Sequence, residues 1–104
     1  MAIREYEVMC ILRPDLEEDA LNADVAKIEE TVTGSEGNVL KVDKWSKRPL
    51  AYEIKDYKEG FYVIFRVKGE KRLLKDLNYA LKFHPDVIRY GVLAYEAKGA
   101  KVGR

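Results

Sequence analysis

Trp45, Lys47, Arg48 and Tyr52 fall within one short segment, WSKRPLAYEI, residues 45–54. Guanidinium and ammonium groups neutralise phosphates, while aromatic rings stack on bases or fill an apolar partner surface. From Lys41 to Lys58 six bases (Lys41, Lys44, Lys47, Arg48, Lys55, Lys58) meet three acids (Asp43, Glu53, Asp56), a local charge of +3. Such a mixture suits two neighbours at once: a protein over the apolar part and a phosphate backbone over the basic part. The competing reading is a decorated hairpin with Trp45 folded back over the core.

Residue types that support catalysis are sparse. His84 is the only histidine, and Pro85 directly after it disfavours helical geometry, so it reads as a helix terminator rather than a general base. Cys10 is the only cysteine and lies in an apolar run, VMCIL, which makes it a core residue rather than a nucleophile. One histidine and one cysteine give no obvious zinc ligand set. The pairs Glu17/Glu18 and Glu29/Glu30 are sequence neighbours, which point about 100° apart on a helix and suit a solvated face. No glycine-rich phosphate loop of the required spacing occurs. In LRPDLEED, Arg13 is surrounded by carboxylates that repel a phosphate. No enzyme activity, cofactor, metal or small-molecule substrate is expected.

The chain has 104 residues, 47% apolar and 36% charged, which fits one soluble domain with a heavily charged exterior. A lone cysteine excludes an internal disulfide and suits a reducing compartment. No apolar run is long enough to span a bilayer, and the early charges of MAIREYEV do not read as a secretory signal, so the expected location is cytoplasmic. The net charge is only +1, but it is unevenly spread. Eight acids and one base lie between Asp15 and Glu36, a local −7, so the remainder carries +8. This split can steer a polyanion to one side of a small protein, although acids that merely solubilise a helix explain it equally well.

Periodicity then places the elements. Arg4 to Leu12 alternates and ends fully apolar, a strand that becomes buried on both faces. Pro14 breaks it, and Asp15 is a candidate cap for the helix that follows. Leu16, Ala20, Leu21, Val25, Ile28 and Val32 mark that helix, with Gly34 as its candidate end. NVLKVDKW is a strand with one wet face, which SKRPLAYEI continues after an irregularity. KDYKEG, ending in Gly60, reads as a turn, and FYVIFRV as a second central strand. Leu73, Leu74, Leu77, Ala80 and Leu81 mark a basic second helix that HPD stops, and VIRYGVLAYE is a last strand. The order βαββαβ predicts an α+β, ferredoxin-like split βαβ fold: a four-stranded antiparallel sheet backed by two helices. Strands one and three lie inside and strands two and four at the edges, which puts Pro49 where a missing N–H is tolerated. Residues 1–96 form the single domain, and 97–104 a short, flexible basic tail.

The four-stranded RNA-recognition fold has the same element order, with stacking aromatics on its third strand. KEGFYVIF resembles it through Gly60, Phe61, Tyr62 and Phe65. The spacing is one residue short, however, and Glu59 stands where a base is wanted. A stand-alone single-stranded RNA-binding module is therefore the alternative reading.

REYEVMCILRPDL, WSKRPLAYEIKDYKEGFYVIFRV and VIRY together resemble the bacterial small-subunit ribosomal protein six family, from about Arg4 to Glu96. The resemblance implies a ferredoxin-like, non-catalytic component of the small ribosomal subunit, in the cytoplasm. It also implies pairing with ribosomal protein eighteen and joint binding of small-subunit ribosomal RNA in the central domain, or platform. Matching positions for RNA contact are Arg4, Arg48, Tyr52 and Arg89; charge and exposure add Lys44, Lys47 and Lys55. The partner protein is expected over Trp45, Leu50 and Tyr52. Ser46 stands where the family usually has glycine, Pro49 where a basic or polar residue is common, and Glu53 where proline often follows Ala-Tyr.

Overall fold

Alternation in Tyr6, Val8, Cys10 and Leu12 turns one side of the first strand into a continuous apolar row, and the rest of the molecule is organised around covering it. The computed structural model describes residues 3–95; the expected tail, 97–104, lies outside them. The elements are β1 (Arg4–Leu12), α1 (Glu18–Gly34), β2 (Asn38–Ile54), β3 (Tyr57–Gly69), α2 (Lys71–Lys82) and β4 (Val87–Tyr95). The sheet order is β2-β3-β1-β4 with every neighbouring pair antiparallel, so β1 and β3 are central as their apolar content requires. The β1 row and Val63, Phe65 and Val67 of β3 meet Leu21, Val25, Ile28 and Val32 of α1 and Leu73, Leu77 and Leu81 of α2 in one core. Fully burying each such side chain stabilises by roughly 1.5–3 kcal/mol. Among the described residues, the opposite sheet face carries no helix.

Three local features depart from the sequence reading. The residue capping α1 is Glu17, in extended backbone and with no side-chain cap bond; Asp15 instead lies 3.7 Å from Arg13. At the other end Gly34 stays helical, and Glu36 takes the left-handed conformation at φ 64°. Its N–H bonds Thr33 O at 3.1 Å and that of Gly37 bonds Val32 O at 2.9 Å, the paired arrangement of a Schellman end. The next position has to be glycine: a Cβ on Gly37 would lie 2.9 Å from Lys68 O.

Gly60 is not a turn residue either. The turn between β2 and β3 is Lys55–Asp56, with φ of 51° and 69°, closed by the pair Ile54 and Tyr57. Two positive-φ residues between paired strands make the tight hairpin turn that matches strand twist. Gly60 lies inside β3, where the chain crosses the end of β1. A Cβ there would meet Ile11 Cγ2 at 2.5 Å and Leu12 O at 3.0 Å. Ile11 faces away from the helices yet is only 4% exposed, because this crossing covers it.

A polar cluster ties both loops at this end to α1. The Arg13 N–H donates to Asp86 O at 3.0 Å, and Arg13 Nε makes an ion pair with Asp86 Oδ1 at 3.0 Å. The Asp86 N–H donates to His84 Nδ1 at 3.1 Å, and His84 Nε2 lies 3.6 Å from Asp24 Oδ1. Accepting at Nδ1 fits the neutral imidazole with its proton on Nε2, which lies near Asp24 without a hydrogen-bond partner. Asp24 is 8% exposed, and its Oδ2 has no hydrogen-bond partner. Burial, reinforced by Asp86, pushes its carboxyl up to about 7 from the usual 3.8. Burial lowers His84, with Asp86 opposing.

Two predictions follow from this packing. Gly60→Ala should destabilise the fold by about 1–3 kcal/mol, since Leu12 O is backbone and cannot move aside; urea unfolding that matches the wild type would show that the crossing tolerates a methyl group. For Asp24, the raised folded pKa means its stabilising effect is full below about pH 3.8 and is lost as pH rises through about 7. Asp24→Asn should therefore raise the thermal midpoint by several degrees near pH 8.5 and by less near pH 5, a difference of order 1–3 kcal/mol. A larger loss at low pH would instead identify a charged Asp24–His84 pair.

Candidate nucleic-acid interface

Paired positions across the sheet build a row on the helix-free face. Ile11 pairs with Tyr62 of β3 on one side and with Arg89 of β4 on the other. Trp45 of β2 extends the row, its ring stacked on Tyr62 at 6.0 Å between centroids and 22° between planes. The outer strand reaches this position with shifted register, between Lys44 and Lys47. Such an irregularity adds twist and re-aims the side chains beyond it. Arg48 pairs with Gly60, and its guanidinium carbon lies 4.7 Å from the centre of the Trp45 ring. A guanidinium lying on an indole is held flat by cation–π attraction while its N–H fork stays able to meet a phosphate.

The covering of Ile11 also shapes the far end of the row. The β2–β3 arm bends with the crossing at Gly60, and the Arg89 side chain donates to the Tyr52 hydroxyl at 3.5 Å. Trp45 and Tyr52 remain 40% and 65% exposed, so the arm is not folded into the core. Arg48 and Arg89 thus sit at the two ends of one row, joined across the sheet through Trp45, Tyr62 and Ile11, with Tyr52 hydrogen bonded to Arg89. Ser46 is not among the positive-φ residues, so serine fits there without strain.

The other expected residues are dispersed. Lys44 points to the helix side, where its Nζ donates to Asn22 Oδ1 of α1 at 2.7 Å. Lys47 lies 5.4 Å over the Phe61 ring at the sheet margin. Lys55 is in the hairpin turn, and Leu50 is half-buried on the arm. Arg4 pairs with Gly69 at the opposite end of β1 from Ile11. At ~3.3 Å per residue that is roughly 23 Å away. Tyr62 was singled out only for the RNA-recognition pattern; its part in the row follows from register, which periodicity alone does not reveal. That pattern itself fits poorly: Phe65 is fully buried and Phe61 packs against the core, leaving Tyr62 alone on the open face.

Elsewhere the structure offers little to a metal or a nucleophile. Among the described residues, Asp24, His84 and Asp86 bring potential ligand atoms within 4.8 Å of one another, a set the sequence reading missed. The His84 tautomer leaves no lone pair on Nε2, and Asp86 Oδ1 is held by Arg13, so these groups fit a hydrogen-bonded network better than an ion. Cys10 is fully buried, and burial pushes its thiol up to about 12. The thiolate needed for attack is therefore suppressed.

Known proteins share this architecture. The family model described as ribosomal protein S6 matches residues 5–94. Small ribosomal subunit protein bS6 of Moorella thermoacetica is 40% identical over 98 residues, covering 94% of this chain and 100% of the relative. The bS6 of Symbiobacterium thermophilum is 47% identical over 88 residues, 85% of this chain and 93% of the relative. The crystal structure of 30S ribosomal protein S6 from Thermotoga maritima superposes with a TM-score of 0.88 at 27% identity, covering 99% of this chain and 100% of the other. With the βαββαβ fold in place and the likeness running nearly end to end, the chain belongs to the ribosomal protein S6 family of the small ribosomal subunit.

Proposed function

We propose that the chain is a non-catalytic structural component of the bacterial small ribosomal subunit, working in the cytoplasm and binding small-subunit ribosomal RNA jointly with ribosomal protein eighteen. The observation that carries this reading is the Arg48–Trp45–Tyr62 stack on an exposed sheet face, with Arg89 and its partner Tyr52 beyond Ile11 on the same row. Two guanidinium groups and their intervening rings match a phosphate backbone with an adjacent base. Among the described residues the outer edge of β2 has no neighbouring strand, and the exposed rim of Trp45 with half-buried Leu50 gives a partner protein an apolar footing beside it. A chain of net charge +1 neutralises few phosphates alone, so a composite surface with a second protein supplies what it lacks. Tyr52, assigned to both neighbours, sits where the two surfaces meet. No helix among the described residues is long and apolar enough to cross a membrane.

Co-purification from cell lysate tests the pairing, with ribosomal protein eighteen and ribosomal RNA expected together. Arg48→Ala should weaken RNA binding by the pair about tenfold with the fold intact, and should flatten the log–log salt dependence by roughly 0.9 for a lost duplex phosphate contact. A lowered thermal midpoint with unchanged RNA affinity would reassign Arg48 to the architecture of the arm.

A further inference from the structure

Helix α2 carries a second aromatic and cationic surface, on the side of the molecule away from the row just described. Leu73, Leu77 and Leu81 anchor the helix in the core, each at most 1% exposed. Lys71, Lys75, Tyr79 and Phe83 follow one another at four-residue steps and form its outer ridge. Tyr79 is 70% exposed and Phe83 64%, so neither ring contributes much to the core. The two rings tilt together at 4.9 Å between centroids and 58° between planes, and Lys82 Nζ lies 5.6 Å from the Phe83 ring centre.

Charge on this ridge is one-sided. Asp76 is the only acid of α2, and it is engaged by Ser35 Oγ at 2.6 Å and Arg72 Nε at 3.6 Å. Lys71, Lys75 and Lys82 form no ion pair among the described residues. A ridge of free ammonium groups ending in two exposed rings complements a polyanion with planar, apolar faces. A protein partner would need a contiguous apolar patch inside a polar rim. Here the residues beside the rings, Lys75, Asn78 and Lys82, are polar and exposed. Stacking requires only a ring face, and phosphates require only nearby cations.

We propose that the outer ridge of α2 is a second RNA-contact surface, taking an unstacked base of a single-stranded segment against Tyr79 and Phe83 and its phosphates against Lys75 and Lys82. It rests on the reading that the chain works on RNA, but uses the helix side rather than the sheet face. Recognition is by stacking and charge, so it is independent of base sequence. The row at Arg48 and this ridge then hold two separate stretches of RNA on opposite sides of the sheet.

The test is fluorescence anisotropy of a labelled single-stranded oligouridylate with the full chain at low salt, together with ultraviolet crosslinking and mass spectrometry. Tyr79→Ala/Phe83→Ala should weaken binding roughly 5- to 100-fold. Lys75→Gln/Lys82→Gln should weaken it and flatten its salt dependence, and all variants should keep the wild-type thermal midpoint. Crosslinks are expected at Tyr79 or Phe83. Unchanged affinity in the aromatic variant, crosslinks confined to Trp45, Tyr52 or Tyr62, or no binding by the wild-type chain would each overturn the proposal. So would self-association in sedimentation that Tyr79→Ala/Phe83→Ala abolishes without altering RNA affinity, since the ridge would then join two copies of the chain. Ribosomal RNA binding by the wild-type chain with its partner protein is measured alongside: its absence sinks the sheet-face reading, whereas its presence with an unaffected aromatic variant sinks only this one.

Discussion

The approach of the Gly60 backbone to the end of β1 is the constraint on which the sheet face depends. Strands β2 and β3 form a hairpin that outruns β1, whose last residue is Leu12. A ribbon with no neighbour beyond that point twists freely. By passing within van der Waals reach of Ile11 and Leu12, it instead buries Ile11 and gains a fixed direction. That direction brings Tyr52 to Arg89, and the same stretch of β2 lays Arg48 on Trp45. Cations held by rings before a partner arrives lose less side-chain freedom on binding than free arginines do. Local sterics at one residue thereby set the rigidity of the candidate site.

The polar cluster under this arm links it to the helix layer. Arg13, at the exit from β1, faces Asp86 in the loop before β4. The nearby Tyr57 hydroxyl, beside the hairpin turn, and the carboxylates of Asp15 and Asp86 favour its charged guanidinium still more firmly. Asp24 on α1 and His84 after α2 complete the network from beneath. Burial penalises charge here, raising Asp24 and lowering His84, so the neutral form of each is favoured. The loops that set the start of β4, and hence the position of Arg89, are fixed by hydrogen bonds rather than by apolar packing alone.

Much of the fold was legible because it rests on period. Apolar alternation in β1 and β3 and the leucine spacing of α2 dictate which surfaces must be covered, and element order then limits the topology. What escaped the sequence depends on contacts between distant residues. Gly60 looks like punctuation until β1 is beneath it. His84 looks like a terminator, which it is, but Asp24 lies 60 positions earlier and nothing local announces their meeting. Glu36 occupies a left-handed position usually given to glycine, while the glycine in the sequence, Gly37, is required one residue later by crowding against Lys68 O. At the candidate site, the sequence already named Arg48, Tyr52 and Arg89, and the structure brings Tyr52 and Arg89 into contact. The separation of Arg4 and the engagement of Lys44 by Asn22 were not, because both follow from strand register and facing.

Charge distribution gives these local features a common consequence. Formally, α1 carries five acids against one base and α2 four bases against one acid, and the two helices lie side by side over the same sheet face. The helix layer is therefore polarised from one helix to the other, while the net charge stays at +1. A field of this shape repels a polyanion at α1 and attracts it towards α2 and the basic arm, so it orients whatever anion approaches. Weak overall attraction combined with strong orientation is a charge pattern that suits a component entering an assembly in one pose, since a low net charge limits non-specific attraction while its uneven spread still fixes orientation.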